Sequence, residues 1–137
     1  MIIGIGADIL RISRIKRIVE SRHAANFCRK VLSSEELALY YQLSSLHDKT
    51  SYLAARWSAK EALVKSLDLK SLLFSETSLA ETNRWPTAVN LDVQLGDRNI
   101  ELLEHRKYEK ALSFRASVSW EEDLMVSNVI CYLSDSS

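Results

Sequence analysis

A chain of 137 residues that is 47% hydrophobic is one domain by length and can bury a core of its own. Its 18 basic and 18 acidic residues cancel, which excludes a global field drawing it to nucleic acid or an anionic membrane, so any electrostatic recognition is local. No apolar run is long enough to span a bilayer, and no secretory signal pattern opens the sequence.

Met1 to Ala7 is apolar and β-branched, with Gly4 and Gly6 at alternate positions where another backbone can approach closely, which predicts a buried strand. The run breaks at one carboxylate, Asp8. From about Ile9 to Arg22 the residues Ile12, Ile15 and Val19 recur at helical spacing, so Asp8 reads as a strand-to-helix junction. Ser33-Ser34-Glu35-Glu36 has the form of a capping box and opens a second helix through Tyr40 and Leu43; a third runs from roughly Ser51 to Leu67. Residues 68–86 read as a serine-rich connection with one helical turn, ended by the only proline, Pro86. Thr87 to Leu95 alternates and Gly96-Asp97 is a turn. Leu112 to Trp120 and Leu124 to Leu133 read as paired strands flanking Glu121-Glu122-Asp123. There is no internal repeat and no second domain, and the class is α+β: a strand, helices, then an antiparallel sheet.

On the third helix, Leu53, Trp57 and Val64 share an apolar stripe, and Glu61 falls roughly 40° from Trp57. Lys65 follows at i+4 and Lys60 lies across the stripe, so the reading flanks Glu61 with two ammonium groups. A surface ion pair worth a few tenths of a kcal/mol is one account. The other joins Glu61 to Asp8 as two acids at the edge of apolar structure, where carboxylates need a partner. A hard cation is such a partner, and two carboxylates with waters and substrate phosphates are how Mg²⁺ is usually held. On the first helix, Ile12, Ile15 and Val19 share one side, while Arg11, Arg14 and Arg22 surround Ile18 on another, the pattern of either a solvated face or a docking spot. Cys28 and Cys131 stand far apart in apolar sequence, which suits reduced thiols inside a cell. His23, His47 and His105 stand singly, without metal-ligand spacing, and Trp57, Tyr40 and Tyr41 read as core.

Three stretches, "GIGADILRISRI", "FCRKVLSSEELALYY" and "YLAARWSAKEALVKSL", closely resemble in order and spacing the bacterial-type holo-acyl-carrier-protein synthases of the 4′-phosphopantetheinyl transferase superfamily. They cover roughly the first half of the chain; "ASVSWEEDLMVSNVICYL" resembles the family's final strand pair. The resemblance implies transfer of the 4′-phosphopantetheine arm of coenzyme A to a serine of an apo acyl carrier protein, with release of adenosine 3′,5′-bisphosphate. It implies Asp8 and Glu61 as Mg²⁺ ligands and Lys65 on the diphosphate, these three forming the catalytic set. Arg56 would meet a coenzyme A phosphate with Lys60 assisting, and Arg11, Arg14, Ile18 and Arg22 would grip the acidic carrier. The base for the carrier serine stays open among Glu61, Glu35 and Asp8 acting through a water. The family's glycine after the second lysine is Asp68 here, its G-K-P is Arg84-Trp85-Pro86, and a frequent histidine is Trp120. The resemblance further implies a homotrimer with the site between subunits. The expected location is intracellular, in the cytoplasm, with the mitochondrial matrix as the alternative. Two other classes remain open: a non-catalytic carrier-binding subunit, and a Mg²⁺-dependent diphosphate hydrolase.

Overall fold

The computed structural model describes residues 1–105 and 112–134. In chain order these form β1 (Ile2–Arg11), α1 (Ile12–Val19), α2 (Ala24–Val31), α3 (Ser34–Gln42) and α4 (Leu46–Leu67). A single 3₁₀ turn (Phe74–Glu76) precedes β2 (Thr77–Trp85) and β3 (Ala88–Leu95), and α5 (Asp97–His105), β4 (Leu112–Glu121) and β5 (Leu124–Leu133) complete the fold. The five strands make one antiparallel sheet in the order β1-β5-β4-β3-β2. The long helix α4 lies across β1 and β5, and the core between them holds Leu10, Leu53, Leu63, Met125 and Val129.

The two early glycines explain how closely α4 is seated. A Cβ built on Gly4 would stand 2.0 Å from the Ser66 carbonyl oxygen, and one on Gly6 would stand 1.9 Å from that of Ala62. Only hydrogen fits there, so the expected close approach of a backbone is the approach of α4. Ala62 and Ser66 are one helical turn apart, and Gly4 and Gly6 are two strand residues apart. The same progression brings Asp8, two residues beyond Gly6, to Ser58, one turn before Ala62.

The first strand does not end at Asp8. Its ladder with β5 continues through Asp8↔Ser127 to Arg11↔Leu124, because pairing rather than hydropathy sets its length. The first helix is correspondingly shorter, and the β4–β5 turn fixes where it starts. Ser13 donates from its backbone N–H and its hydroxyl to the two carboxylate oxygens of Asp123, each at 2.7 Å, and Ile12 donates to the Asp123 carbonyl at 2.8 Å. The capping box forms as expected: Ser33 N–H donates to Glu36 Oε1 at 3.0 Å, and Glu36 N–H to Ser33 Oγ at 3.3 Å.

Helix α2 occupies sequence where none is predicted, and α4 starts earlier, capped by Ser45 Oγ accepting from Asp48 N–H at 3.0 Å. The connection over residues 68–86 contains the expected helical turn and also β2, whose second half, Glu81–Trp85, is an exposed polar edge without apolar alternation. Gly96 leads directly into α5, where only a turn is expected. The three later strands lie where the alternation places them. On the outer face of the sheet, Ile2, Ile5 and Ile9 of β1 and Leu124 and Ile130 of β5 are exposed. Among the described residues no helix is long and apolar enough to cross a membrane.

Candidate active site

Asp8 and Glu61, 53 positions apart in sequence, reach one place because β1 lies under α4. Asp8 points to the inner side of β1, where its Oδ1 accepts from Lys65 Nζ at 3.0 Å and its Oδ2 accepts from Ser58 Oγ at 3.1 Å. Lys65 is one turn beyond Glu61 on α4, and its side chain is 53% exposed against 13% for that of Asp8. Burial and then the nearby Asp8 charge push the Glu61 pKa up, against the pull of Lys65 and Arg14. Two carboxylates thus repel one another at the border of the core, and Lys65 meets a single oxygen of the pair.

That donor set fits Mg²⁺, a hard cation that takes one or two carboxylates and completes its shell with waters and phosphate oxygens. Among the described residues no group of three or more His, Cys, Asp or Glu side chains forms a cage able to hold a metal unaided. Beside Glu61 opens a cleft of about 620 Å³, with Val64, Leu72 and Phe74 on its floor and Arg29, Lys30 and Lys70 at its rim.

Lys60 does not flank Glu61. Consecutive helical residues project about 100° apart, and Lys60 turns inward, fully buried, donating to Glu36 Oε1 at 2.5 Å, to the Val31 carbonyl at 2.7 Å and to the Phe74 carbonyl at 2.9 Å. All three ammonium protons are used, which leaves none for a phosphate. Burial lowers the Lys60 pKa while Glu36 pulls it back up. The other Glu36 oxygen accepts from Leu79 N–H at 3.0 Å. The acid expected only to cap a helix therefore joins α3, α4 and β2, and Lys60 extends the cluster to α2 and the 3₁₀ turn.

Arg56, one turn before Lys60, faces the same acid. Its Nε is 3.9 Å from Glu36 Oε2, too long for a hydrogen bond, and that buried nitrogen has no hydrogen-bond partner. The guanidinium lies 3.9 Å over the Tyr52 ring, and burial lowers its pKa. It lines a second cleft of about 410 Å³ with Tyr52, Arg84, Pro86 and Trp120. Arg84 is held by Glu81 at 2.5 and 2.9 Å and lies 5.9 Å over Trp120. Arg56 and Glu61 are five residues apart, roughly 140° around the helix, so the two clefts open on different sides of α4. The glycine position filled by Asp68 adopts a left-handed backbone, φ 54° and ψ 48°, which aspartate tolerates better than most residues.

Arg14 on the first helix, Arg22 in the turn that follows it and Arg11 at the end of β1 are exposed, but Ile18 is half-buried against the core rather than presented as an exposed knob. Arg14 lies 5.1 Å over the Trp57 ring, itself edge-on to Phe27, and so borders the Asp8–Glu61 site. Tyr40 is core, whereas Tyr41 is exposed. Glu35, His23 and His47 are exposed, and the side chain of His105 lies outside the described residues. Cys28 and Cys131 are buried free thiols. Sequence reasoning missed the core role of Glu36 and the contact of Ser58. Arg56 and Lys60 at i,i+4 inside an apolar stretch were the available signal for a buried acid.

A family model described as the 4′-phosphopantetheinyl transferase superfamily matches residues 4–119. The holo-[acyl-carrier-protein] synthase of Cupriavidus necator is 32% identical over 132 residues, covering 95% of this chain and 90% of that one. Matches to Streptococcus equi proteins of the same name are more identical but shorter, 46% over 67 residues, and span 54% of those relatives' length. Among solved structures, the holo-ACP-synthase of Plasmodium yoelii superposes with a TM-score of 0.78 at 26% identity, covering 98% of both chains. The Helicobacter pylori holo-[acyl-carrier-protein] synthase in complex with coenzyme A superposes at 0.69 and 25% identity, covering 93% of this chain and 99% of that one.

Proposed function

The chain belongs to the 4′-phosphopantetheinyl transferase superfamily, as an enzyme of the holo-[acyl-carrier-protein] synthase family, and from that premise we propose the reaction it performs. It moves the 4′-phosphopantetheine arm of coenzyme A onto a serine hydroxyl of an apo acyl carrier protein and releases adenosine 3′,5′-bisphosphate. The observation that carries this reading is the convergence of Asp8 and Glu61 with Lys65 at the edge of the core.

Asp8 and Glu61 would hold Mg²⁺, which when bound neutralises diphosphate charge and eases departure of the leaving phosphate. Lys65, half in solvent, leaves Asp8 for a phosphate oxygen when the diphosphate arrives. Arg56, which lines the second cleft, receives a phosphate at the nucleotide end. The basic-rimmed cleft beside Glu61 accommodates the pantetheine arm. Glu61, beside the cleft and next to Asp8, is better placed than the exposed Glu35 to relay the serine proton. Arg11, Arg14 and Arg22 face the acidic carrier, and Ile18 serves as packing beneath them.

The chain acts as a homotrimer in this reading. Arg56 and Glu61 face different sides of one helix, so a neighbouring copy is needed to bring both to one coenzyme A molecule. The exposed isoleucines on β1 and β5 supply the apolar face for that contact. The unbridged thiols fit a reducing compartment inside the cell.

The test is chromatographic release of adenosine 3′,5′-bisphosphate from coenzyme A and Mg²⁺, with and without apo carrier. Release only with carrier supports the transferase. Release without carrier identifies a hydrolase, and no release in either arm identifies a binding subunit.

A further inference from the structure

The geometry points to Ser58, backed by Ser127, as a positioning residue that sets the Asp8 carboxylate for its cation, an inference that rests on the reading of Asp8 given above. Asp8 and Ser127 are directly opposite each other in the β1–β5 ladder, so both side chains lie on the inner face under α4. Ser58 and Ser127 are each fully buried. Ser127 Oγ donates to Ser58 Oγ at 2.7 Å, and Ser58 Oγ donates to Asp8 Oδ2 at 3.1 Å. The direction of this relay is dictated by its end, because an ionised carboxylate only accepts, which commits the Ser58 proton to it and leaves the Ser58 lone pair to Ser127.

A serine within a helix commonly turns its hydroxyl back onto its own backbone. Ser66, two turns further along the same face of α4 and also buried, does this by donating to the Leu63 carbonyl at 2.7 Å. Ser58 instead reaches across to the strand. Oδ2 is therefore pinned by a neutral donor at the back of the site, while Oδ1 meets the half-exposed Lys65 at the front. The carboxylate is oriented before any cation arrives, and Ser58 adds no positive charge to compete with one. Hydrogen-bond partners behind metal-binding carboxylates and imidazoles are typically worth 10- to 100-fold in affinity.

Mn²⁺ serves as the paramagnetic probe, titrated into the full chain with saturating coenzyme A and no carrier, so that nothing turns over, and followed by electron paramagnetic resonance. The parent is compared with Asp8→Asn, Ser58→Ala and Ser127→Ala, alongside metal-free coenzyme A affinity and thermal melting. Asp8→Asn should abolish tight Mn²⁺ binding. Ser58→Ala should weaken it about tenfold and Ser127→Ala by less, with coenzyme A affinity and melting unchanged. Parent-like Mn²⁺ affinity in Asp8→Asn would overturn the metal reading and this inference together. A loss in Asp8→Asn with parent affinity in Ser58→Ala, a larger loss in Ser127→Ala than in Ser58→Ala, or an equal loss of coenzyme A affinity would overturn the positioning role alone.

Discussion

Helix α4 presents two i,i+4 pairs to two acids. Arg56 and Lys60 turn toward Glu36; Glu61 and Lys65 turn toward Asp8. Both regions combine carboxylates with cations, yet only one is closed. Around Glu36 every Lys60 proton has an acceptor and solvent is excluded from that pair, so Lys60 and Glu36 lock elements together, while Arg56 beside them also lines a cleft. Around Asp8 two carboxyl groups meet one half-exposed lysine in a half-open site, and the electrostatics are left incomplete. A satisfied buried ion pair is architecture, whereas an unsatisfied one at a cleft is a place for a ligand.

The largest expected effect separates the two regions by function. Asp8→Asn or Glu61→Gln should lower turnover on the order of 10³-fold while leaving the melting temperature near the parent's, as steady-state kinetics and calorimetry would show. Lys60→Met should do the reverse to the fold. It strands Glu36 in the core and should cost about 3–5 kcal/mol of stability in denaturant titrations. Replacing both partners, Glu36→Gln with Lys60→Met, should recover only part of that loss, because the buried carboxylate is gone but Arg56 then lacks its acid.

Arg14→Glu acts at the rim and should weaken carrier binding about tenfold, or roughly 1.4 kcal/mol, with coenzyme A binding intact in parallel calorimetric titrations. Equal carrier affinity would remove the first helix from the docking surface. The smallest effect is on pH dependence. Because the fold raises the Glu61 pKa, the folded chain holds that proton more tightly than the unfolded chain. This carboxyl therefore lowers stability as pH rises through its unfolded value toward its folded one, and the loss is complete above the folded pKa. Metal-free Glu61→Gln should lack that component, so its stability should match or slightly exceed the parent's at neutral pH, read by chemical denaturation across pH 4 to 8.

The sheet's later strands were legible because apolar alternation with turn residues between has one physical meaning. The edge strand β2 was not, since Glu81–Trp85 is polar and exposed and takes its conformation from β3. Asp8 drew attention as an acid in an apolar run, but its place within the strand depends on pairing to Ser127, which hydropathy does not encode. Lys60 was misplaced because neighbours in sequence are not neighbours on a helix face, and its true partner sits on α3. The half-burial of Ile18 was not legible, because the wheel shows which residues share a side but not how deeply an eight-residue helix sinks into its neighbours. The two catalytic candidates on α4 were legible at i,i+4, whereas Ser58 was hidden, since a buried serine in a helix announces nothing until its acceptor is known.

The central claim is that these acids are placed for a cation that transfer requires. Its most direct test is intact-mass spectrometry of an apo acyl carrier protein incubated with this protein, coenzyme A and Mg²⁺, beside an arm containing a chelator. The account predicts that the carrier gains one phosphopantetheine and that the chelator abolishes the gain. A gain indifferent to the chelator, or no gain with any of several carriers while the protein remains folded, would contradict it.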